Sequence, residues 1–545
     1  MTREIIEYDA LIIGAGPAGL AAAIRLRQRA QSLGQEFTVC VLEKGAQVGA
    51  HILSGAVIDP VALDELLPDW RERGAPLKTR VVGDEVLWFT AQHAVAAPRF
   101  ALPPQLANEG LYVGSLGELC RWLAEQAEAL GVELYPGFAA VTPCFDERGA
   151  LTGVATGDMG IDASGEPTGR FAAGIEIRAR YTLVAEGAGG SLTRQLEAQY
   201  GLREGVGESH FGLGIKEVWR VAPERHRPGL VIHTLGWPLG GEASGGGFLY
   251  HYGEDLVAIG LVTHLDYRNP YLSPFDEFQR LKTHPKIAAL LQGGERLGYG
   301  ARTTNEGGLQ SLPRLSFPGG VLLGCAAGLL NVLRIKGTHN AMKSGMLAAE
   351  SVADALLAGR QHDELIDYPK ALRASWIGRE LGDTRNVKPL LSRFGTVFGS
   401  LFCGIEMWLL AAGLRLPWTL AHPLPARARM AEARGFKPRQ GVRPDGQLIF
   451  DRPSSLMLAN ISHEHDQPCH LKRRNTPDQE AARVIRFAAP ETRYCPAGVY
   501  ELDGGEVRIN SQNCLHCKAC ELADPEHSLL WHPPEGGSGP QYGAM

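Results

Sequence analysis

At 545 residues the chain is longer than one hydrophobic core organises, so it divides into two to four domains or interleaved lobes. Its 44% hydrophobic and 21% charged residues are those of an ordinary globular protein, and a net charge of −6 without a broad basic stripe argues against a nucleic-acid partner. Glycine, at 67 residues, exceeds its usual share without any collagen-like period, which fits loops where backbone must approach phosphate.

Tyr8 to Ile13 is an apolar strand that runs into Gly14-Ala15-Gly16-Pro17-Ala18-Gly19 and a helix to about Arg29. Val39 to Leu42 is a second buried strand, ending at Glu43. A G-x-G-x-x-G sequence gains its meaning from this β-α-β context. Gly14 permits the tight turn, Gly16 lets backbone N–H groups reach a pyrophosphate, and Gly19 lets the helix lie close to the sheet. Glu43 is placed to accept hydrogen bonds from a ribose. From Val154 to Gly300, strand-like runs such as Phe248 to Tyr252 and Leu256 to Val262 alternate with Gly, Pro and Asn turns. Val321 to Gly324 is a further buried strand, followed by a helix around Thr338 to Leu357. Two Gly-rich segments, Thr182 to Ser191 and Leu322 to Gly328, resemble the second and third flavin motifs of hydroxylases and reductases, which favours FAD over NAD. Cys325 stands where the third motif commonly has Asp, so that match is imperfect.

Phe394 to Leu420 is strongly apolar, and Pro and Arg then thicken from Pro423 to Pro444 as a linker. Val397 to Leu414 carries one charge, Glu406, and is long enough to be weighed as a spanning helix. Gly399, Gly404 and Gly413 interrupt it, and Arg415 and Pro417 close it. A buried core helix is the alternative. The expectation is an in-plane or shallow membrane helix, with Arg427, Arg429, Arg434, Lys437, Arg439 and Arg443 either meeting anionic head groups or solvated as a linker.

Six of the ten cysteines are scattered, and Cys495, Cys514, Cys517 and Cys520 crowd near the C-terminus. The N-terminus runs almost directly into a strand, so the reading is a reducing, cytosol-facing compartment rather than a disulfide framework. Cys514-x-x-Cys517-x-x-Cys520 lets three thiolates wrap one face of an iron–sulfur cubane, and Cys495, followed by Pro496, is the candidate fourth ligand. Structural zinc, the rival, generally uses two Cys-x-x-Cys knuckles. Tyr500 is placed to donate a hydrogen bond to cluster sulfur. His463, His465, Cys469 and His470 could be read as a metal site but lack a second knuckle, so they are assigned to loop and core.

Together these pieces resemble the electron transfer flavoprotein:ubiquinone oxidoreductase family over nearly the whole chain. The resemblance is carried by Ile12 to Leu20, Gly49-Ala-His-Ile-Leu-Ser-Gly-Ala56, Asp266-Tyr-Arg-Asn-Pro-Tyr-Leu-Ser-Pro274, Ile335-Lys-Gly-Thr-His339, His463 to Pro468, Cys495-Pro-Ala-Gly-Val-Tyr500, Asn513 to Lys518 and Pro534 to Pro540. It implies a mixed α/β (α+β) chain in which a Rossmann-like FAD-binding domain (residues 1–95, 110–200 and 305–360) is interleaved with a β-rich ubiquinone-binding domain (96–109 and 201–304). A C-terminal region (361–545) would hold the membrane-contacting segment, 394–420, and a ferredoxin-like [4Fe–4S] module from about 455 to 545. The implied cofactor-binding residues are Gly14, Ala15, Gly16, Pro17, Ala18, Gly19, Glu43, Lys44, Gly324, Gly337 and Thr338. Cys495, Cys514, Cys517 and Cys520 would hold the cluster. Gly245 and Gly246 would meet the quinone head group, bare backbone letting a flat ring approach. Ala96 to Leu106 would lie near the quinone entrance.

The implied reaction takes electrons from reduced electron transfer flavoprotein through the [4Fe–4S] cluster and FAD to ubiquinone, with no nucleophile or catalytic triad. The implied location is the cytoplasmic face of a bacterial inner membrane, as a monotopic protein, or the matrix face of the mitochondrial inner membrane if the chain is eukaryotic. Two departures stand out. Ala519 replaces a hydroxyl residue common in the family just before the last cluster cysteine, which implies a lower cluster potential. Cys469 replaces an apolar residue and is read as structural. Rival readings are an FAD reductase of the geranylgeranyl-reductase type or a flavin hydroxylase, neither of which carries the cysteine tail, and a ferredoxin-like carrier with vestigial flavin motifs.

Overall fold

The computed structural model describes residues 3–54, 57–422, 427–543 and 545. Gly55 and Ala56 of the Gly49–Ala56 motif, Pro423 to Ala426 of the linker and the Arg427 side chain lie outside the described residues.

Ile5–Ile13 forms the middle of an eight-stranded sheet, paired in parallel with Val39–Glu43 on one side and Glu176–Val184 on the other. Gly320–Leu322 extends it beyond Glu176–Val184, and Glu133–Pro136 beyond Val39–Glu43. A strand covered on both faces needs a continuous apolar run, and Ala10 to Ile13 is fully buried. Helix α1 (Pro17–Ser32) covers one face, with Pro17 at its first position, where its missing N–H costs nothing. Helix α2 (Thr338–Leu357) crosses α1 at backbone distance. A Cβ on Gly345 would lie 2.2 Å from the Ala18 carbonyl oxygen, so only glycine allows this approach.

The second sheet has seven strands, in the order Glu295–Asn305, Phe211–Arg220, Leu256–His264, Gly245–Tyr252, Leu230–Gly236, Gly83–Phe89 and Ala94–Ala96. Neighbours are antiparallel except Leu230–Gly236 and Gly83–Phe89, which run parallel. Residues 83–95 therefore join this sheet, whereas the sequence reading kept everything up to residue 95 with the FAD unit. The reason is long-range register: Gly83 through Phe89 pairs rung by rung with Leu230 through Gly236.

The C-terminal module packs into the same hydrophobic core as this second sheet. Its helix Pro477–Phe487 opens with a Thr476/Gln479 capping box. Arg483, buried in that helix, lies between the carboxylates of Glu480 and Glu491. The chain end returns to the sheet: a Cβ on Gly300 would meet the Tyr542 ring at 2.7 Å, and one on Gly298 the Met545 sulfur at 2.7 Å.

Helix α3 (Val387–Ala411) begins before the apolar run and is broken at Gly395, whose φ of 69° and ψ of −175° are not helical. After the break Gly399, Cys403, Glu406 and Met407 turn inward. Val397, Phe398, Leu401, Phe402, Ile405 and Trp408 remain 40–62% exposed along the opposite side. The buried Glu406 carboxylate accepts a hydrogen bond from Asn386 Nδ2 at 2.7 Å, which reconciles a charge with this apolar helix. The expectation of a free basic stretch is corrected in part: Arg429 Nη1 lies 3.1 Å from Asp266, Arg439 Nη1 3.0 Å from Glu277 and Arg434 Nε 2.8 Å from Glu432.

Candidate functional site

The loop after the first strand forms a cradle. Gly14 has φ of 106°, and a Cβ there would lie 2.7 Å from the Ala185 carbonyl oxygen. A Cβ on Gly19 would lie 2.0 Å from the Gly14 carbonyl oxygen, whereas at Gly16 it would meet nothing within 4 Å. Gly16 thus faces open space at the N-terminus of α1, where no side chain caps the first N–H groups. Pro17 and Ala18 line the same space, and Ala15 N donates to Glu43 Oε2 at 3.1 Å, holding that carboxylate at the cradle rim. Gly337 caps α2 without a side-chain hydrogen bond, so a second helix N-terminus, with Thr338, points into the same space. Two uncapped helix ends aimed at one cavity suit a dinucleotide, one end taking the pyrophosphate and the other a ring carbonyl. Gly324, at φ of 54°, brings this wall close: its Cβ would be 3.1 Å from Ala18 Cβ.

The cavity, of about 1150 Å³, is larger than a usual single-ligand pocket. It runs from Gly14 and Glu43 across the face of the second sheet to α3, where Val397, Leu401, Ile405 and Trp408 line it opposite Ala101 to Leu106. Trp408 Nε1 ties the two sides together by donating to the Ala101 carbonyl at 3.1 Å. Gly245 and Gly246 line the middle of the cavity. Their glycine identity answers first to the sheet: a Cβ would lie 2.0 Å from the Val262 carbonyl at Gly245 and 2.5 Å from the Thr234 carbonyl at Gly246.

Cys495, Cys514, Cys517 and Cys520 are all buried and outside any disulfide, and Cys514, Cys517 and Cys520 each sense the charge of Cys495. Burial pushes the Cys517 thiol up to about 12, so four thiolates persist here only with metal to compensate them. Backbone N–H groups are aimed at the sulfurs, as a cubane requires: His516 N donates to Cys514 Sγ at 3.4 Å, and the Cys495 sulfur accepts from the 497–499 turn. Tyr500 Oη makes no hydrogen bond among the described residues, and its strongest electrostatic neighbour is the Cys520 thiol. The donor set fits an iron–sulfur cluster.

Family models match three parts of the chain: an NAD(P)-binding Rossmann-like domain at 12–67, an ETF-QO ubiquinone-binding domain at 211–304 and an electron transfer flavoprotein-ubiquinone oxidoreductase 4Fe-4S domain at 446–543. The electron transfer flavoprotein-ubiquinone oxidoreductase of Pseudomonas aeruginosa is 50% identical over the full length of both chains. The human mitochondrial protein of that name is 46% identical over the whole of this chain and 90% of its own. The chain belongs to this oxidoreductase family. A geranylgeranyl bacteriochlorophyll reductase-like protein from Thermoplasma acidophilum shares the fold alone, with a TM-score of 0.57 at 16% identity over 76% of this chain and 94% of that one.

As a member of the electron transfer flavoprotein-ubiquinone oxidoreductase family, the chain is an oxidoreductase with FAD and one [4Fe–4S] cluster. Between the dinucleotide cradle and the four buried cysteines lies a layer that sequence reasoning left out. Lys44, assigned to the cofactor, has Nζ 2.8 Å from His51 Nδ1 and 3.1 Å from His516 Nδ1. Burial, with Arg302 and Lys518 nearby, holds its ammonium well below the usual lysine range. Arg302 Nη1 donates to the His516 carbonyl at 3.2 Å and Thr303 Oγ1 to the Cys517 carbonyl at 2.7 Å, so the second sheet grips the cluster loop directly. The His463 loop packs on this layer, with His463 and His470 rings stacked at 5.4 Å. His470 Nδ1 or Nε2, Cys514 Sγ and a His516 ring nitrogen lie within 4.8 Å of one another, but Cys514 belongs to the four-thiol set. Cys469 Sγ instead donates to the Leu471 carbonyl at 3.4 Å. Lys216 and His264, also unmarked by any motif, line the cavity on the second sheet.

Proposed function

We propose that this chain takes electrons from reduced electron transfer flavoprotein and delivers them, through its [4Fe–4S] cluster and FAD, to ubiquinone at a membrane surface, yielding ubiquinol for a respiratory chain. The observation that carries this is the continuity of the cavity: one space runs from the dinucleotide cradle, past Gly245 and Gly246, to a mouth framed by the exposed apolar side of α3. When bound, FAD and the cluster supply the redox chemistry, and the residues described here position them and exclude water.

Gly14 to Gly19 would hold the pyrophosphate of FAD, Glu43 its ribose, and Gly337 and Thr338 its ring. The quinone head group lies over the second sheet beside Gly245 and Gly246, and its apolar tail leaves between α3 and the Pro98 to Leu106 segment. The protein is monotopic. Only 16 residues, Thr396 to Ala411, follow the break in α3, fewer than the roughly 20 a span requires, and one side of them is committed to protein. Phe100, 83% exposed, and Trp418, 53% exposed, extend the apolar surface on either side. Its location is the cytoplasmic face of a bacterial inner membrane, or the matrix face of the mitochondrial one. The test is an EPR spectrum of the reduced protein with flavin and iron assays, then reduction by electron transfer flavoprotein and reoxidation by a soluble ubiquinone. A colourless or iron-free protein, or one that ubiquinone does not reoxidise, would refute the assignment.

A further inference from the structure

Strand Phe211–Arg220 turns alternate residues toward the cavity. Gly214 lies in one rung with Val262 and Arg302, and Lys216 in another with Gly260 and Gly300. Gly214, Val262, Arg302 and Lys216 all line the cavity. Beside Lys216 the floor is bare: a Cβ on Gly214 would meet nothing nearer than 3.6 Å. Lys216 itself is 1% exposed, and its Nζ has neither a hydrogen bond nor an ion pair among the described residues.

That isolation contrasts with the next residue. Glu217, on the other side of the same strand, meets Lys282 at 3.0 Å, Arg296 at 3.1 Å and Trp219 Nε1 at 2.8 Å. The fold thus pairs a buried charge where packing is the only requirement and leaves one amine unpaired where the strand meets the cavity. The other charged and titratable groups on this wall are engaged elsewhere. Arg302 binds the His516 carbonyl, and His233 Nε2 lies 2.8 Å from Tyr250 Oη. His264 lies between Lys388, 2.8 Å from Nδ1, and Glu306, 3.1 Å from Nε2, while Lys336 binds Asn108. Among the described residues no carboxylate acts on Lys216. Burial alone therefore brings its ammonium down to about 7, where it exchanges protons at neutral pH.

We propose that Lys216 donates one of the two protons that the quinone takes up on reduction in this cavity. This rests on reading the sheet face as the quinone site. Two electrons come from the reduced cofactors. As a ring carbonyl oxygen gains charge, one Nζ–H bond breaks and an O–H bond forms, leaving a neutral amine in an apolar wall. The amine recovers its proton from solvent water, which also supplies the second proton, so each turnover consumes two electrons and two solvent protons. The ammonium prevails below pH 7, so this route closes as pH rises through that value.

The test compares the holoenzyme with Lys216→Met and Lys216→Arg. Each is assayed on either side of pH 7 with a soluble ubiquinone and with ferricenium, a one-electron acceptor that takes no proton. The flavin and cluster midpoint potentials are titrated in parallel. Wild-type quinone reduction falls about tenfold per pH unit above its pKa. Both variants reduce quinone about 100-fold more slowly and lack that limb, the Lys216→Arg enzyme because a guanidinium does not release its proton. Ferricenium rates and both potentials stay at wild-type values. A Lys216→Met enzyme with the wild-type quinone rate and pH profile overturns the proposal. So does one that slows both acceptors and shifts the flavin potential, which would place the amine against the flavin. A wild-type enzyme that reduces ferricenium but no quinone refutes instead the quinone reading beneath it.

Discussion

Tyr500→Phe should lower the potential of the cluster. The Tyr500 hydroxyl is buried, makes no hydrogen bond among the described residues, and is coupled electrostatically first to the Cys520 thiol, which makes it the candidate donor to that sulfur. Reduction adds one electron to the cubane, so a donor aimed at a ligand sulfur binds the reduced form more strongly than the oxidised one. A hydrogen bond to a charged group contributes about 1.5–3 kcal/mol. If roughly 1 kcal/mol of this differs between the two oxidation states, the one-electron potential falls by about 40 mV, because about 59 mV corresponds to a factor of ten. Phe keeps the ring and its packing, so iron content and melting temperature should hold. The assay is a redox titration followed by EPR of the reduced cluster, with the flavin potential as an internal control. An unchanged cluster potential would show that the hydroxyl does not reach the sulfur, and an equal shift in the flavin would point to a general change in the protein.

Ala519→Thr is the reverse experiment: Ala519 is fully buried beside Cys520, and a hydroxyl there should raise the cluster potential by tens of millivolts on the same conversion. No upward shift would end the idea. Gly345→Val should force α2 off α1, since even a Cβ would lie 2.2 Å from the Ala18 carbonyl; about 1–3 kcal/mol of stability and most of the bound flavin should be lost, read by melting temperature and flavin absorbance. Phe398→Glu together with Ile405→Glu should weaken binding to lipid vesicles by about 1.5–3 kcal/mol for each buried side chain lost, measured by flotation, while flavin and iron contents stay constant. Unchanged flotation would move the membrane contact away from α3.

Chemistry that needs neighbours along the chain was readable from the sequence. A pyrophosphate loop requires glycines at fixed offsets between a strand and a helix, and Gly14, Gly16 and Gly19 occupy the positions read for them. Three cubane ligands fit a Cys-x-x-Cys-x-x-Cys spacing, and Cys514, Cys517 and Cys520 converge with Cys495. The same locality explains the misplacements. Gly83–Phe89 has no mark of its own that assigns it to either sheet; its partner Leu230–Gly236 does that from far along the chain. Arg429 and Arg439 looked like a free basic run until Asp266, Glu277 and Glu242 arrived beside them.

By itself, then, the sequence determined the family, the two cofactors and the local loops proposed to hold them, because each is set by short-range spacing and backbone conformation. Only the tertiary structure decided that one cavity joins the cradle to α3, that Lys216 stands unpaired on its wall while Glu217 is paired behind it, and that Lys44, His51 and His516 fill the layer between the cofactor sites. Those are questions of which side of a strand faces which neighbour, and register across long loops settles them.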